Sequence, residues 1–518
     1  MKKNAGALLV ILLAVLSSSA FLFQVPGYHF DEAWIAELAS RIAFEPGFWP
    51  SFGMNSYTVP VFSYLQAGLF RVLGYPSLEA TRVLYAVLNA CSLFLFFQWL
   101  KKDRPQASWV FTLLWATFPL SVFNLRLSLE VTSGFAFFAS VACYGISEGC
   151  IRQQNRVWFW MATLALVLGS LSHLLFFSFV LSLIWAALQM NPLVFDSPAL
   201  RRMLSLVLLP LTLFFTAPLL QSAIGSGERV KAGLVILMNL FLLAFAHLRW
   251  GSRPGMVKLI RFSRWVIYPV ASAGVFIFVL FELSGVWPMS QSTGIIFPLL
   301  MFPGLLLTGG IFLLSMDWRK AHPIHHFFRA LFLALTAFVV ANAYKPTSAK
   351  YWELPLLAFL LLAALWVVEC AAKKKWVMPL VWVCSGLHFI LIFQYYLLQT
   401  VHHGATAQPY RWLWVKDSAL YYRPIIPIYQ TLLEMDHLCA QDQIHVDEER
   451  NEFVLRVYRS LSHRQGAERD CDPQRAGRHY WVGRNEWVES QKNAEPYLKR
   501  EAWGDFIVGR SGVGQLLK

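Results

Sequence analysis

Charge is scarce in this chain. Of 518 residues only 14% are Asp, Glu, Lys or Arg, while 57% are hydrophobic. Soluble domains carry about 25% charged residues, so a soluble globular protein is excluded and a polytopic membrane protein is indicated. Acidic residues are the scarcer kind, 30 against 44 basic, for a formal charge of +14. A basic excess can signal nucleic acid, but here the bases sit in short clusters between apolar runs. That is the positive-inside pattern, and no nucleic-acid partner is expected. Cysteine is sparse and lacks metal-ligand spacing. Five of the seven (Cys91, Cys143, Cys150, Cys370, Cys384) lie in or beside apolar runs, and only Cys439 and Cys471 fall in polar sequence, which allows at most one disulfide there. Internal repeats and low-complexity tracts are absent.

What is present is a succession of apolar runs near the roughly 20 residues that a bilayer requires. Met1-Lys2-Lys3 precedes an apolar run from Ala5 to Phe23, long for a signal peptide and read as a retained first helix. Further spans are expected at 82–100, 107–123, 130–148, 157–172, 174–190, 203–221, 232–248, 265–284, 295–315, 330–344, 354–371 and 377–399, about thirteen in all. Lys2/Lys3, Lys101/Lys102/Arg104, Arg152/Arg156, Arg201/Arg202, the 249–264 loop, Arg319/Lys320/Arg329 and Lys373–Lys375 then share one face, the cytoplasmic one. From about residue 400 the composition turns polar. The expected fold is a polytopic helical membrane domain over 1–399, followed by a small extracytoplasmic α/β domain over 400–518, with strands at Gln443–Val446 and Tyr480–Val482.

Three outward segments carry the chemistry. The loop 24–81 holds Tyr28-His29-Phe30-Asp31-Glu32-Ala33-Trp34, two adjacent carboxylates where the first helix emerges. Trp34, Ile35, Leu38, Ala39 and Ile42 share a helical face, so the segment reads as an amphipathic helix lying on the membrane, with a second such helix opening at Pro60. The turn Arg126-Leu127-Ser128-Leu129-Glu130 holds another acid, and the loop 344–353 holds Lys345, Lys350 and Tyr351. Singly, each carboxylate is as well explained by capping a helix or pairing with a local Arg, and each lysine by snorkelling at the interface. Together they favour a site: carboxylates to take a proton from an acceptor hydroxyl, cations to neutralise a phosphate leaving group. His322, His325 and His326 have metal-like spacing, but a solvated loop on the cytoplasmic face explains them better.

These residues resemble the GT-C class of integral-membrane glycosyltransferases, especially the branch that holds protein O-mannosyltransferases and the lipid A aminoarabinose transferase. Asp31 through Ala39 is similar to the first-loop "DE…AE" segment, Tyr57-Thr58-Val59-Pro60 and Leu73-Gly74 to the rest of that loop, and Lys350-Tyr351-Trp352-Glu353-Leu354-Pro355 to the late "RY-x-x-P" loop. Glu130 stands where the class carries a second acid. Val59 replaces a Lys, and His173-Leu174 replaces a Lys-Gly. The resemblance implies a polyprenyl-phosphate sugar donor, an extracytoplasmic acceptor (glycan, lipid or protein) and inversion, in a bacterial inner membrane with the site on the periplasmic side. It implies Asp31, Glu32 and Glu130 as the catalytic acids, and Lys345, Lys350 and Tyr351, aided by Arg229 and Lys231, as the donor-phosphate site. His29, Tyr57 and His173 are the substrate-positioning candidates. No cofactor is certain from these residues; Glu32 and Glu130 would position the acceptor, or hold a divalent cation if one is used. The alternative is a transporter or flippase of a lipid-linked sugar. Such proteins usually place ionisable groups at the midplane of broken, repeated helices, whereas here the acids gather at one rim.

The charge alternation makes the topology testable. Reporter tags after Lys102, Arg202, Arg264 and Lys375 should read cytoplasmic, and tags near Asn55, Ser226, Thr347 and beyond Tyr410 should read external. A cytoplasmic reading beyond residue 410 would defeat the scheme.

Overall fold

The computed structural model describes residues 30–50, 58–118, 121–122, 126–152, 154–190, 197–225, 265–273, 323–341, 349–402, 425–436, 438–439, 442–447, 449–464, 478–491, 494–499 and 506–511, with a few isolated positions besides. Helix α1 (Phe30–Phe44) opens with Asp31 and Glu32 and closes with Arg41, the charge order a helix dipole favours. Helix α2 (Val61–Leu73) follows Pro60 and ends at Gly74, whose φ of 79° suits the left-handed cap that only glycine adopts freely. Helix α3 (Leu78–Asp103) starts at Ser77, whose side chain accepts the Ala80 amide, and ends on Lys101 and Lys102. Pro105 opens α4 (Pro105–Thr117).

A widened π-type turn, Glu130–Gly134, leads into α5 (Phe135–Ile146), and a second, Ser147–Arg152, leads out of it. Then come α6 (Arg156–Ser172), α7 (Leu174–Met190), α8 (Pro198–Gly225), α9 (Pro323–Ala341), a 3₁₀ turn (Ala349–Trp352), α10 (Glu353–Lys373) and α11 (Val377–His402). Leu78–Asp103, Glu130–Arg152 and Glu353–Lys373 are long and apolar enough to cross a membrane, and shorter apolar helices accompany them. The protein is an integral membrane protein. Each expected span between 82–100 and 203–221, and between 330–344 and 377–399, meets a described helix. The spans 232–248 and 295–315, and most of 5–23 and 265–284, lie outside the described residues.

Close helix approach has a local cause. Gly145 and Gly149 sit four residues apart, and a Cβ on either would fall 2.8 Å from Ala162 or 2.5 Å from the Phe159 backbone. Small residues let α5 and α6 meet backbone to backbone, as membrane helices favour. The bundle has two distinct ends. At one, Lys102 pairs with Glu148 at 2.6 Å, Arg152 with Asp103, and Trp185 donates to Ser263 at 2.8 Å. At the other, Val59 N–H donates to the Leu171 carbonyl and His173 lies against Tyr351. Of the clusters assigned by charge to the cytoplasmic face, Lys102, Arg104 and Arg152 come together at the first end.

The polar tail is an α/β unit: α12 (Ile425–Asp436), β1 (Gln443–Val446), α13 (Glu449–Arg464), β2 (His479–Arg484), α14 (Asn485–Ser490), β3 (Glu495–Lys499) and β4 (Phe506–Arg510). The sheet order is β1-β2-β4-β3, with β1 parallel to β2 and the remaining pairs antiparallel. This unit does not stand apart. Ala33, Ala36, Ala39 and Phe70 of α1 and α2 share one apolar cluster with Tyr429, Leu432, Val457 and Val482 of the tail. Tyr458 adds a polar tie, its hydroxyl donating to Glu79 Oε1 at 3.0 Å. The expectation that α1 lies with its apolar face on the membrane is thereby corrected, because Ile35, Leu38, Ala39 and Ile42 are buried by protein. Burying that face against α2 and α13 removes it from lipid and water alike.

Within the tail, Cys439 is disulfide-bonded, while Cys471 lies outside the described residues. Asp442 organises the same corner, accepting the backbone amides of Cys439 and Arg478 at 2.9 and 2.8 Å and the Arg478 guanidinium at 3.1 Å. Burial alone would raise the Asp442 carboxyl, but those hydrogen bonds outweigh it and hold the group below the ordinary carboxylate value. Its contribution to stability is complete above the unfolded carboxylate value of about 3.9 and is lost as pH falls through the lower folded value. Cys439→Ser should lower the stability of the purified chain by about 2–4 kcal/mol in thermal or denaturant unfolding. An unchanged unfolding curve would deny the crosslink a stabilising role.

Candidate functional site

Two adjacent acids at the start of a helix point about 100° apart around its axis, so one can be buried while the other faces outward. That is how α1 divides its pair. Glu32 is 1% exposed and Asp31 is half-buried. The Glu32 carboxylate receives Arg82 Nε at 3.0 Å on Oε1 and Arg82 Nη2 at 2.8 Å on Oε2. Ser128 adds its backbone amide at 2.9 Å and its hydroxyl at 2.7 Å, both to Oε1. Thr81 Oγ1 in turn donates to Ser128 Oγ at 3.3 Å. Both charged side chains of the pair are fully buried, where an unpaired charge is prohibitive and a fork-shaped Arg–carboxylate pair is the tolerable form. Four donors on one carboxylate make Glu32 the clamp that ties α1 to α3 and to the 126–130 turn. Arg82 lies one turn inside an apolar helix, where an ionisable residue nearly always has a partner or a function.

Glu130 opens the widened turn that follows Ser128, and it is half-buried. Turns of this type are rare and gather at functional sites. Gly134 closes the turn because no Cβ fits: it would fall 2.4 Å from the Phe62 ring of α2. Phe62 also packs on Tyr85 and Phe138, with ring centroids 5.6 and 5.3 Å away. The Tyr85 hydroxyl is within electrostatic reach of both Glu130 and Glu32 and accepts a hydrogen bond from Gln66 at 3.4 Å. The first loop therefore does more than carry acids. It closes over the turn that presents Glu130.

His173 is the joint between α6 and α7. Its Nδ1 accepts the Leu175 amide at 3.1 Å, which fixes the neutral ring's proton on Nε2. Its ring sits between Phe135, 5.8 Å away, and Tyr351, 6.3 Å away. Tyr351 belongs to the 3₁₀ turn Ala349–Trp352, which also packs on the Glu130–Gly134 turn. The backbone of Lys350 is thus brought to the same end as Glu32, Glu130 and His173. Trp352 and Glu353 are buried just behind it. His29, Tyr57, Arg229, Lys231 and Lys345 lie outside the described residues. Among the described residues no group of three His, Cys, Asp or Glu side chains is placed to hold a metal ion. His325 and His326 lie in the first turn of α9 instead of a solvated loop, with His325 buried 3.5 Å from Glu369.

The roles of the two first-loop acids therefore separate. Glu32, expected among the catalytic acids, has a holding geometry, while Asp31 and Glu130 keep partly open positions. Arg82 and Ser128 were missing from the sequence candidates, and Arg82's position inside an apolar run was the one signal for them. Glu32→Gln or Arg82→Leu should each cost about 3–5 kcal/mol, because each leaves a buried charge without its counter-charge. The double variant Glu32→Leu/Arg82→Leu should recover part of that loss, and thermal unfolding in detergent reads all three. Wild-type stability in Glu32→Gln would return that residue to the catalytic set.

No protein-family model matches the sequence, and no curated protein matches it. Among solved structures, the chain is similar to ArnT from Cupriavidus metallidurans bound to undecaprenyl phosphate, at 12% identity over 99% of both chains with a TM-score of 0.49. The apo form of that protein gives 10% identity over 98% of both chains and a TM-score of 0.38. The oligosaccharyltransferase of Archaeoglobus fulgidus in complex with Zn and sulfate gives 11% identity over 93% of this chain and 68% of that one, with a TM-score of 0.46. Both neighbours are GT-C glycosyltransferases. Superposition at this level leaves the functional reading to the residues themselves.

Proposed function

We propose that this protein is a membrane glycosyltransferase that moves a sugar from a polyprenyl-phosphate-linked donor to an extracytoplasmic acceptor with inversion. One observation carries the reading. The helix of Asp31 and Glu32, the turn of Glu130, the His173 joint and the Lys350–Tyr351 turn, drawn from four distant parts of the chain, meet at one end of an apolar helical bundle. The neighbour bound to undecaprenyl phosphate is in keeping with a lipid-phosphate donor.

In this reading Asp31 takes the proton from the acceptor hydroxyl as its oxygen attacks the anomeric carbon. The bond from that carbon to the phosphate oxygen breaks, and polyprenyl phosphate leaves with the electron pair. Lys350, with Lys345, Arg229 and Lys231, neutralises the leaving phosphate. Tyr351 and His173 offer a ring wall and an N–H donor for the sugar, and His29 and Tyr57 complete the positioning set. Glu130 orients the acceptor. A divalent cation, where the reaction uses one, would be held by Asp31 and Glu130, since Glu32 is engaged by Arg82 and Ser128. A bacterial inner membrane with the site and tail on the periplasmic side suits this chemistry. A transporter or flippase is the second reading, and the gathering of acids at one end instead of at the midplane weighs against it.

Purified protein incubated with labelled polyprenyl-phosphate sugars and an acceptor pool should release polyprenyl phosphate. Asp31→Asn should lower that turnover by roughly 10²–10⁴-fold with donor binding largely retained, because Asn keeps the shape and loses proton acceptance. Glu130→Gln should fall between Asp31→Asn and wild type, and Lys350→Ala should weaken donor binding itself. Asn caps a helix nearly as well as Asp, so a folded Asp31→Asn protein turning over at the wild-type rate with a hydroxyl acceptor rejects the base assignment.

A further inference from the structure

The end of the bundle opposite the site holds a cavity of about 440 Å³, within the roughly 300–1,000 Å³ range of ligand pockets. Its walls are apolar and come from α3, α5, α6, α7, α8 and α9, with Ile146, Leu183, Ala187 and Phe327 keeping accessible surface among them. Protein interiors rarely keep voids of this size. This one reaches a rim where Asp103 and Ile151 are exposed, so it is open to the surroundings of the protein.

The rim is charged. Lys102 and Arg152 both hold Glu148, at 2.6 and 3.4 Å, and Arg152 also holds Asp103. Both carboxylates, Asp103 and Glu148, are engaged by Lys102 and Arg152 without Arg104. Arg104 lines the cavity, half-buried, and makes no ion pair among the described residues. Its backbone is held between the last turn of α3, through its amide to the Leu100 carbonyl at 2.7 Å, and Pro105 at the start of α4. A half-buried cation lining an apolar cavity, at the end of a helix bundle where lipid headgroups would lie, presents an anion site beside a slot for hydrocarbon.

We propose that this cavity binds one anionic glycerophospholipid of the adjoining leaflet, with an acyl chain among Ile146, Leu183, Ala187 and Phe327, lining residues that keep accessible surface, and the headgroup phosphate on Arg104. The site is about the length of α3 away from Glu32, since Arg82 and Asp103 mark opposite ends of that helix. It is a second lipid site, independent of glycosyl transfer.

Native mass spectrometry of the full chain in mild detergent tests it, with phosphatidylglycerol and phosphatidylcholine of identical acyl chains added in turn. Wild type should retain one phosphatidylglycerol, in preference to phosphatidylcholine by about fivefold: both carry the phosphate, but the choline cation cancels its charge, and one cationic side chain near a lipid of net negative charge has an effect of roughly this size. Arg104→Gln should erase the preference while lipid of either kind still binds. Ala187→Trp, which places an indole in the cavity, should abolish retention of both, and Leu183→Phe replaces it should the larger residue lower the melting temperature. Equal retention of the two lipids by wild type overturns the proposal, as does full retention by a folded cavity-filled variant, which would place the lipid elsewhere on the surface. Because no sugar donor enters the experiment, its failure would leave the glycosyltransferase reading untouched.

Discussion

The buried pair of Glu32 and Arg82 is the constraint on which the described end of the molecule depends. Two ionised groups withdrawn from both water and lipid are tolerable only when their geometry is satisfied, and here four donors meet one carboxylate. Because Glu32 lies on α1, Arg82 on α3 and Ser128 before the widened turn, one interaction sets the mutual position of three segments. Asp31 and Glu130 inherit their places from it. Asp31 is the next residue to Glu32, and Glu130 is two residues beyond Ser128. A clamp of this kind also explains how a chain so poor in charge keeps Glu32 and Arg82 fully out of solvent.

The second constraint is the cover over α1. A helix of this composition exposed at a membrane surface would need lipid on its apolar face, yet the tail supplies protein there instead. Ala33, Ala36 and Ala39 are small enough to let neighbouring elements approach, and the resulting core runs from the first loop into the sheet. The tail is therefore part of the platform that holds the acids. Tyr458, whose hydroxyl donates to Glu79 at the start of α3, has its own proton held up mainly by burial and then by that carboxylate. This polar tie fixes the tail to the same helix that carries Arg82.

The two ends of the bundle also differ in how they treat charge. At the site end the ionisable groups are segregated, with Glu32, Arg82, Arg126 and Glu353 buried and Asp31 and Glu130 partly open. At the opposite end Lys102, Arg152, Asp103 and Glu148 form an interlinked rim at the mouth of an apolar cavity. Interlinked rim charges of this kind stabilise little individually, but they hold the ends of α3 and of the Ser147–Arg152 turn together and leave Arg104 outside their ion pairs.

Much of the architecture was legible in the residues taken in order. Apolar runs of membrane length located the described helices, basic clusters sorted them onto two ends, and β1 fell at Gln443–Val446 as read. These are local properties: hydropathy over one turn after another, and charge counted loop by loop. The site was legible only as a set of suspects. Nothing local distinguishes Asp31 from Glu32, since both are acids in the same helical turn. Their difference comes from Arg82, fifty positions away, and Ser128, ninety-six away. Likewise His173 gained its place from Phe135 and Tyr351, and the apolar face of α1 gained its cover from a tail more than 380 residues downstream. The sequence by itself determined which segments prefer the membrane, because partitioning acts on each segment alone. Tertiary structure decided which carboxylate is buried and which stays open, because burying a charge depends on a partner that only folding brings near.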